Sequence, residues 1–192
     1  DIVKSGRIRG QALRRLDRLQ ESIDIFTEVL PIAKRNRFVD EYKKILNSLA
    51  LAYTFKAEYD KALEYNFQSL VVRESEGDKA EISITLNNIG LVYFKLRNYE
   101  GALEYFNRCV TMKQEVGDTT NLDRTYLNLG LCYLHLKEFK EAKNYTLKAL
   151  SFCGSKCDDE IIMMGEYGLG ESAYWLGELD EAETHLKKSL AL

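Results

Sequence analysis

The chain has 192 residues, of which 45% are hydrophobic and 30% charged, with a formal net charge of −3. This balance excludes an intrinsically disordered chain and is typical of a folded protein large enough to bury a core. No apolar run reaches the roughly 20 residues that a membrane-spanning helix needs, and no signal peptide is recognisable, so no membrane insertion is expected.

A helix is predicted over residues 3–15, and this first segment is basic. Residues 1–18 hold six basic residues and two aspartates, which gives a local charge of +4 and leaves −7 for the remainder. Two interpretations stay open: a surface for an acidic partner, and a helix face that is charged for solubility, which we favour. No aromatic residues alternate with these charges as base stacking requires, so no nucleic-acid partner is expected.

Downstream of this segment, four columns of residues recur every 40 positions. Their members are Ala50, Gly90, Gly130 and Gly170; Leu49, Ile89, Leu129 and Leu169; Tyr59, Tyr99, Phe139 and Leu179; and Ala62, Ala102, Ala142 and Ala182. Self-similarity at one fixed period is the mark of a repeat protein, in which each repeat buries its apolar face against the next. The two small-residue columns are expected where the helices of a repeat cross.

Each repeat is predicted to be a helical hairpin. In the third, apolar residues fall at three- and four-residue steps from Ile82 to Leu96, Arg97-Asn98 makes a turn, and a second helix begins at Tyr99. The chain has a single proline and no alternating β-branched runs. The prediction is therefore ten helices in five hairpins, without a strand.

The links between repeats carry helix-capping residues. They are Gly77-Asp78, Gly117-Asp118 and, with cysteine in place of glycine, Cys157-Asp158. Glycine suits the left-handed residue that ends a helix, and aspartate suits the N-cap of the next helix. Asp78 with Glu81 also fits a capping box. Because Cys157 replaces the glycine, the last of these turns is expected at Gly154.

The segment Leu86–Phe106 resembles the consensus of the tetratricopeptide repeat (TPR). Its matching residues are Leu86, Ile89, Gly90, Tyr93, Tyr99, Ala102 and Phe106. The repeat is longer than the usual roughly 34 residues and lacks the closing proline. This longer form is similar to the repeats of Pins-type scaffolds, bacterial peptide-pheromone receptors and TPR-containing bacterial sensors and regulators. The resemblance implies an all-α fold, a right-handed α-solenoid of about five hairpins over residues 3–42, 43–82, 83–122, 123–162 and 163–192.

The resemblance also implies that the first helix of each hairpin lines a groove for a protein or peptide partner. Carried over column by column, the groove residues are Asn47, Leu51, Phe55, Asn87, Asn88, Leu91, Phe94, Asn128, Leu131, Leu134, His135, Tyr167, Glu171, Tyr174 and Trp175. The large apolar members are interpreted either as an exposed binding surface, which we favour, or as packing between neighbouring helices.

The asparagines of this groove also have two interpretations. A side-chain amide can pair with the backbone of an extended peptide, the role expected of Asn47 and Asn87. A structural role is favoured for Asn88 and Asn128. The carboxylate clamp of chaperone-binding TPRs is not expected, because its lysine and asparagine positions are not all occupied by those residues.

No catalytic site, metal site or cofactor is predicted. His135 and His185 lie in different helices, and Cys109 and Cys132 fall on core columns. Cys153 and Cys157 are too isolated for a zinc site. For these two cysteines we favour free thiols, with a local disulfide as the alternative in an oxidising compartment.

The leading hypothesis is a binding module that recruits an extended peptide or a helix of a partner in a signalling or regulatory protein. The alternative is self-association, a homodimer formed through terminal repeats that lack polar caps. These incomplete ends also predict that the array is part of a longer protein. The cytoplasm is the favoured location, and the alternative is the periplasmic sensor segment of a bacterial membrane protein.

Overall fold

The computed structural model describes residues 2–153 and 157–191, which form ten α-helices and no strand. The helices are α1 (Ile2–Arg15), α2 (Leu19–Arg35), α3 (Val39–Phe55), α4 (Tyr59–Glu76), α5 (Lys79–Lys95), α6 (Tyr99–Val116), α7 (Leu122–His135), α8 (Phe139–Cys153), α9 (Asp159–Leu176) and α10 (Leu179–Leu190). The predicted five hairpins are thereby confirmed. Within these ranges, no helix combines the length and apolar character needed to cross a membrane.

The chain divides into two compact units, an N-terminal unit (Asp1–Val92) and a C-terminal unit (Tyr93–Leu192). The first has a core in which Phe26, Ile45 and Leu49 have no exposed surface, and Leu129 is equally buried in the second. Repeats defined from the period alone begin at residues 43, 83, 123 and 163, which lie inside α3, α5, α7 and α9. A period fixes the phase of the columns but not the residue where a helix begins.

Each hairpin turns through one residue in the left-handed conformation. These residues are spaced like the columns and are Asp17, Ala57, Arg97, Lys137 and Gly177. The next backbone N–H reaches back to the carbonyl five residues earlier, as Glu58 does to Tyr53 at 2.9 Å. This is the Schellman arrangement, which satisfies carbonyl groups at the end of a helix.

Two of these turn residues offer a paired test of backbone strain. Gly177 has φ +83°, and an added Cβ would meet no atom within 4 Å. Gly177→Ala should therefore destabilise the fold by about 1 kcal/mol through the left-handed backbone alone. Ala57 already has a φ of 58°, so Ala57→Gly should be neutral or stabilising. Urea unfolding measures both, and changes of the same sign would contradict this account.

The link from α4 to α5 has the predicted capping chemistry. Gly77 ends α4 with φ 74°. The Asp78 carboxylate accepts hydrogen bonds from the backbone N–H groups of Ala80 and Glu81, at 3.1 and 3.2 Å. Asp78 is therefore the N-cap of α5.

The later links differ from the prediction. Gly117 is left-handed as expected, but α7 begins at Leu122 with Asn121 as its N-cap. The Asp118 carboxylate binds the Thr120 N–H at 2.9 Å, so it orders the longer link and does not cap the helix. Asp158 does precede α9, without a side-chain cap. The turn predicted at Gly154 lies outside the described residues.

Buried cations join the second helices of two hairpins to the hairpins that follow. Arg73, near the end of α4, is 5% exposed and donates to the Glu81 carbonyl at 3.0 Å. Lys113 occupies the same column in α6, is also 5% exposed, and donates to the Asp118 carboxylate at 2.6 Å. In both places a long, buried cationic side chain donates a hydrogen bond to the link or to the start of the next helix.

The next member of this column is Cys153, which forms a disulfide with Cys157. The expectation of free thiols was therefore wrong. The last turn of α8 places the two Cα atoms 4.9 Å apart, which is within the range that a disulfide can bridge. Cys109 and Cys132 are buried and take no part in a disulfide, as predicted.

The Lys113–Asp118 contact predicts a specific pH dependence. Hydrogen bonds from Lys113 and Thr120 lower the pKa of the Asp118 carboxyl from 3.8 to about 2. Since the folded pKa is the lower one, this stabilisation is complete above about pH 4 and is lost as the pH falls toward 2. NMR titration of Asp118 checks the value. In Lys113→Met the pKa should rise toward the ordinary value, and an unchanged pKa would exclude this cause.

Candidate functional site

A cavity of about 390 Å³ lies in the C-terminal unit between α7, α9 and the turn that follows α7. Its lining consists of Leu131, Leu134, His135, Lys137, Phe139, Tyr167, Glu171 and Trp175. We call this cavity the α7–α9 pocket. Its volume is in the lower range of sites that hold small ligands or side chains.

One face of α9 supplies an acid between two aromatic residues. Tyr167, Glu171 and Trp175 are spaced four residues apart, so their side chains follow one another along a single face of the helix. Tyr167 is 46% exposed and Trp175 59%. This face therefore presents two accessible rings about one helical turn above and below a carboxylate.

The Trp175 side chain is held in place by other aromatic rings. Phe139 stacks against it with a centroid distance of 5.5 Å and an interplanar angle of 8°. Tyr174 meets it edge-on at 5.5 Å. Stacking on Phe139 restricts the indole, and its exposed surface remains accessible for another group.

On the α7 side, His135 is packed against Tyr99 and Phe94. The Tyr99 ring stacks on the imidazole at 4.4 Å, and Phe94 contacts it edge-on at 5.6 Å. Burial, followed by the positive charge of Arg97, lowers the pKa of the imidazole below its ordinary value. His135 therefore contributes a largely uncharged ring at neutral pH.

The charged groups of the pocket are Glu171 and Lys137. Glu171 is half-buried and forms no ion pair among the described residues. Burial and then the charge of Glu171 raise the pKa of Tyr167. Lys137 is an exposed turn residue with φ 64°. The pocket thus holds a partly desolvated carboxylate whose charge is felt by the neighbouring phenol.

The structure brings together six of the predicted groove residues in this pocket, and Phe94 and Tyr174 contact two of them. The expectation that the large apolar groove residues are exposed is confirmed for Tyr174 (54%) and Trp175 (59%) and is wrong for Leu131. Leu131 is only 8% exposed, and Phe94 and Leu134 are half-buried. Asn128, also on α7, is half-buried. Packing between helices therefore accounts for much of the apolar surface that these residues were expected to expose.

Lys137 and Phe139 line the pocket but were not among the predicted groove residues. Both lie after α7, whereas the family pattern restricts the groove to first helices. A signal for Phe139 was present, because it belongs to the aromatic column of Tyr59 and Tyr99. No sequence signal distinguishes Lys137.

In the N-terminal unit, the predicted groove residues bind each other. The side-chain amide of Asn88 donates to the side-chain oxygen Oδ1 of Asn47 at 2.8 Å. This hydrogen bond agrees with the structural role favoured for Asn88. It also uses the side-chain oxygen of Asn47, one of the groups by which Asn47 was expected to pair with a peptide backbone. The guanidinium of Arg14 lies 5.6 Å from the centre of the Phe55 ring. The remaining members are the half-buried Leu51, Asn87 and Leu91.

The basic first helix is also partly neutralised within the chain. Arg7 donates to the Glu41 carboxylate at 2.6 Å and to the Gln11 side chain at 3.0 Å. These contacts of Arg7 favour the interpretation of α1 as a helix face that is charged for solubility over that of a surface for an acidic partner. They leave less of its positive charge for an acidic partner.

Comparison with known proteins supports the repeat assignment. Residues 81–153 match the tetratricopeptide-repeat family. No curated protein matches the chain. Solved structures do match over almost its whole length, at identities that show the fold alone.

One similar structure is BtubC (BKLC) from P. vanneervenii, with 19% identity and a TM-score of 0.86 over 98% of this chain and 78% of that one. A putative kinesin light chain with TPR-like repeats from Podosopora anserina has 14% identity and a TM-score of 0.79, covering 98% and 93%. MamA has 18% identity and a TM-score of 0.73, covering 99% and 91%. Residues 81–153 therefore match the tetratricopeptide-repeat family, and the fold of the chain is similar to that of these solved repeat structures.

Proposed function

We propose that this chain is a binding module that holds a peptide, or a helix of a partner protein, in the α7–α9 pocket. The observation that carries the proposal is the exposed Trp175 at the edge of a cavity that also contains Tyr167 and an unpaired Glu171. Exposed aromatic surface beside a cavity with few polar groups is typical of binding sites.

The pocket is suited to binding because its rings are already restrained. Phe139 supports Trp175, and Tyr99 supports His135. A partner would therefore order few additional side chains, which reduces the entropic cost of association. Tryptophan and tyrosine also bring large contact areas with few rotatable bonds.

The polar side chains of the same lining are not arranged in a catalytic pair. Among the described residues no hydrogen bond joins two of them, as a nucleophile and its base would be joined. We propose that the pocket binds without transforming its ligand.

Within a longer protein, such a module would recruit a partner or sense a peptide for a signalling or regulatory domain. Residues predicted to take part from the N-terminal unit remain sequence-based proposals. They are Asn47, Leu51, Phe55, Asn87, Asn88 and Leu91. Asn128 in α7 is likewise a sequence-based proposal.

The experiment is a selection from a random peptide display library on the immobilised chain, followed by fluorescence titration of soluble binders. Trp175 is the only tryptophan, so its emission reports on the pocket directly. We expect binders to shift that emission. Binders that leave it unchanged would place the site elsewhere, and a library without binders would overturn the proposal.

Solution mass should be measured alongside. A monomer that binds peptide fits the proposed function. A stable dimer whose formation alone shifts the Trp175 emission, with no peptide bound, would favour the self-association hypothesis.

A further inference from the structure

We propose that the α7–α9 pocket selects an arginine side chain of the bound peptide, with the guanidinium paired to Glu171 and lying against Trp175. This inference rests on the proposed function and specifies its ligand. It concerns one residue of the partner and one carboxylate of this chain.

Of the half-buried carboxylates of the C-terminal unit, Glu171 and Asp123 form no ion pair among the described residues, and Asp123 accepts a hydrogen bond from the backbone N–H of Arg124 at 2.8 Å. Glu166 pairs with His185, and Asp118 pairs with Lys113 at 2.6 Å. Glu171 has no such partner within the described part of the chain and faces the pocket. A carboxylate that has lost part of its hydration without gaining a cation favours a ligand that supplies one.

The neighbours of Glu171 fit a planar cation better than a compact one. Tyr167 and Trp175 lie one helical turn to either side of the carboxylate. A guanidinium can donate two hydrogen bonds to a carboxylate while its plane stacks on an aromatic ring. An ammonium group offers the charge without the planar fit.

The chain itself contains the same kind of contact at the corresponding place in another hairpin. Arg14 lies over the exposed ring of Phe55. In the 40-residue register, Phe55 corresponds to Trp175 and Arg14 corresponds to Leu134. There the preceding hairpin supplies an arginine to the aromatic ring, whereas the α7–α9 pocket has a leucine at the corresponding place. A guanidinium from a partner would restore the contact.

The other ionisable groups of the pocket leave room for one cation. His135 is largely uncharged at neutral pH because its pKa is lowered. Lys137 is exposed and forms no ion pair with Glu171. The positive charge of Lys137 disfavours a second positive group beside it, so the pocket is expected to bind a single arginine side chain.

The test uses immobilised hexapeptide pools, each with one defined central residue and random flanking residues. The central residues are arginine, citrulline, lysine, norleucine and glutamate. Citrulline has the shape of arginine without its charge. We expect the wild-type chain to bind the arginine pool about tenfold better than the citrulline pool, as a desolvated charge pair would require.

Two variants identify the carboxylate responsible. Glu171→Gln should reduce the arginine signal to that of citrulline. Glu100→Gln, which removes an exposed carboxylate of α6 outside the pocket, should keep the arginine preference. The wild-type comparison of arginine with citrulline needs no variant, so it decides the matter even if Glu171→Gln is poorly folded.

The outcomes separate this inference from the proposed function. If norleucine binds as well as arginine, or if citrulline equals arginine, peptide binding stands and arginine selection is overturned. If no pool binds above a surface without peptide, both fail. An arginine preference that survives Glu171→Gln would also overturn the inference.

Discussion

Replacement of Gly130 by leucine is expected to destabilise the C-terminal unit by about 3 kcal/mol, because the side chain would enter a filled helix crossing. A Cβ at this position would lie 2.5 Å from the Thr146 hydroxyl and 3.2 Å from both the Ala142 carbonyl oxygen and the Thr146 nitrogen. Two of these three atoms belong to the backbone of α8. Helix α8 would have to move away from α7 to accommodate the change.

Urea unfolding followed by far-UV circular dichroism measures this loss. Gly168→Ala is the matched control, since its nearest heavy atom would be the Thr146 hydroxyl at 3.3 Å. That variant should remain within about 1 kcal/mol of the parent, because the helix propensity of alanine offsets a small adjustment. An unfolding midpoint of Gly130→Leu equal to that of the parent would show that α7 and α8 do not cross at this residue.

Trp175→Ala is expected to weaken binding of a selected peptide by about thirtyfold, equivalent to about 2 kcal/mol. The indole provides the largest exposed apolar surface of the pocket and is restrained by Phe139. Its removal eliminates contact area that no neighbouring side chain can replace. Isothermal titration calorimetry is the suitable measurement, since the variant has no tryptophan fluorescence.

Phe152→Ala provides a control for this measurement. Phe152 is an exposed aromatic residue of α8 that does not line the pocket. Its variant should bind with the affinity of the parent. Equal weakening in both variants would indicate a general loss of structure, and unchanged affinity in Trp175→Ala would move the site away from this pocket.

The hairpins could be predicted from the sequence because their determinants are local and repeated. The columns of Gly130 and Ala142 mark a crossing that the structure contains, and Gly77 and Gly117 end helices as predicted. A small residue at a crossing has few alternatives, since larger ones would clash. The left-handed conformation at the end of a helix is likewise a local property, because glycine adopts it without a steric clash.

Side-chain partners were harder to predict, because several neighbours compete for each group. Asp118 has the sequence context of an N-cap, but the Lys113 ammonium and the Thr120 N–H bind its carboxylate. Leu131 has the phase of a groove residue and is nevertheless buried. The pairing of Asn88 with Asn47 depends on the distance between two helices, which the period does not determine.

Three successive links of the chain are fastened by groups that respond to different chemistry. The guanidinium of Arg73 stays charged in acid, the Lys113–Asp118 pair weakens in acid, and the Cys153–Cys157 bridge opens with a reductant. In a linear array, stability is a sum of local and nearest-neighbour contributions, so one weakened link leaves the others intact. The solution therefore selects which of these contacts is lost: acid weakens the contact between α6 and α7 as the pH falls toward 2, and a thiol reagent opens the bridge between α8 and α9.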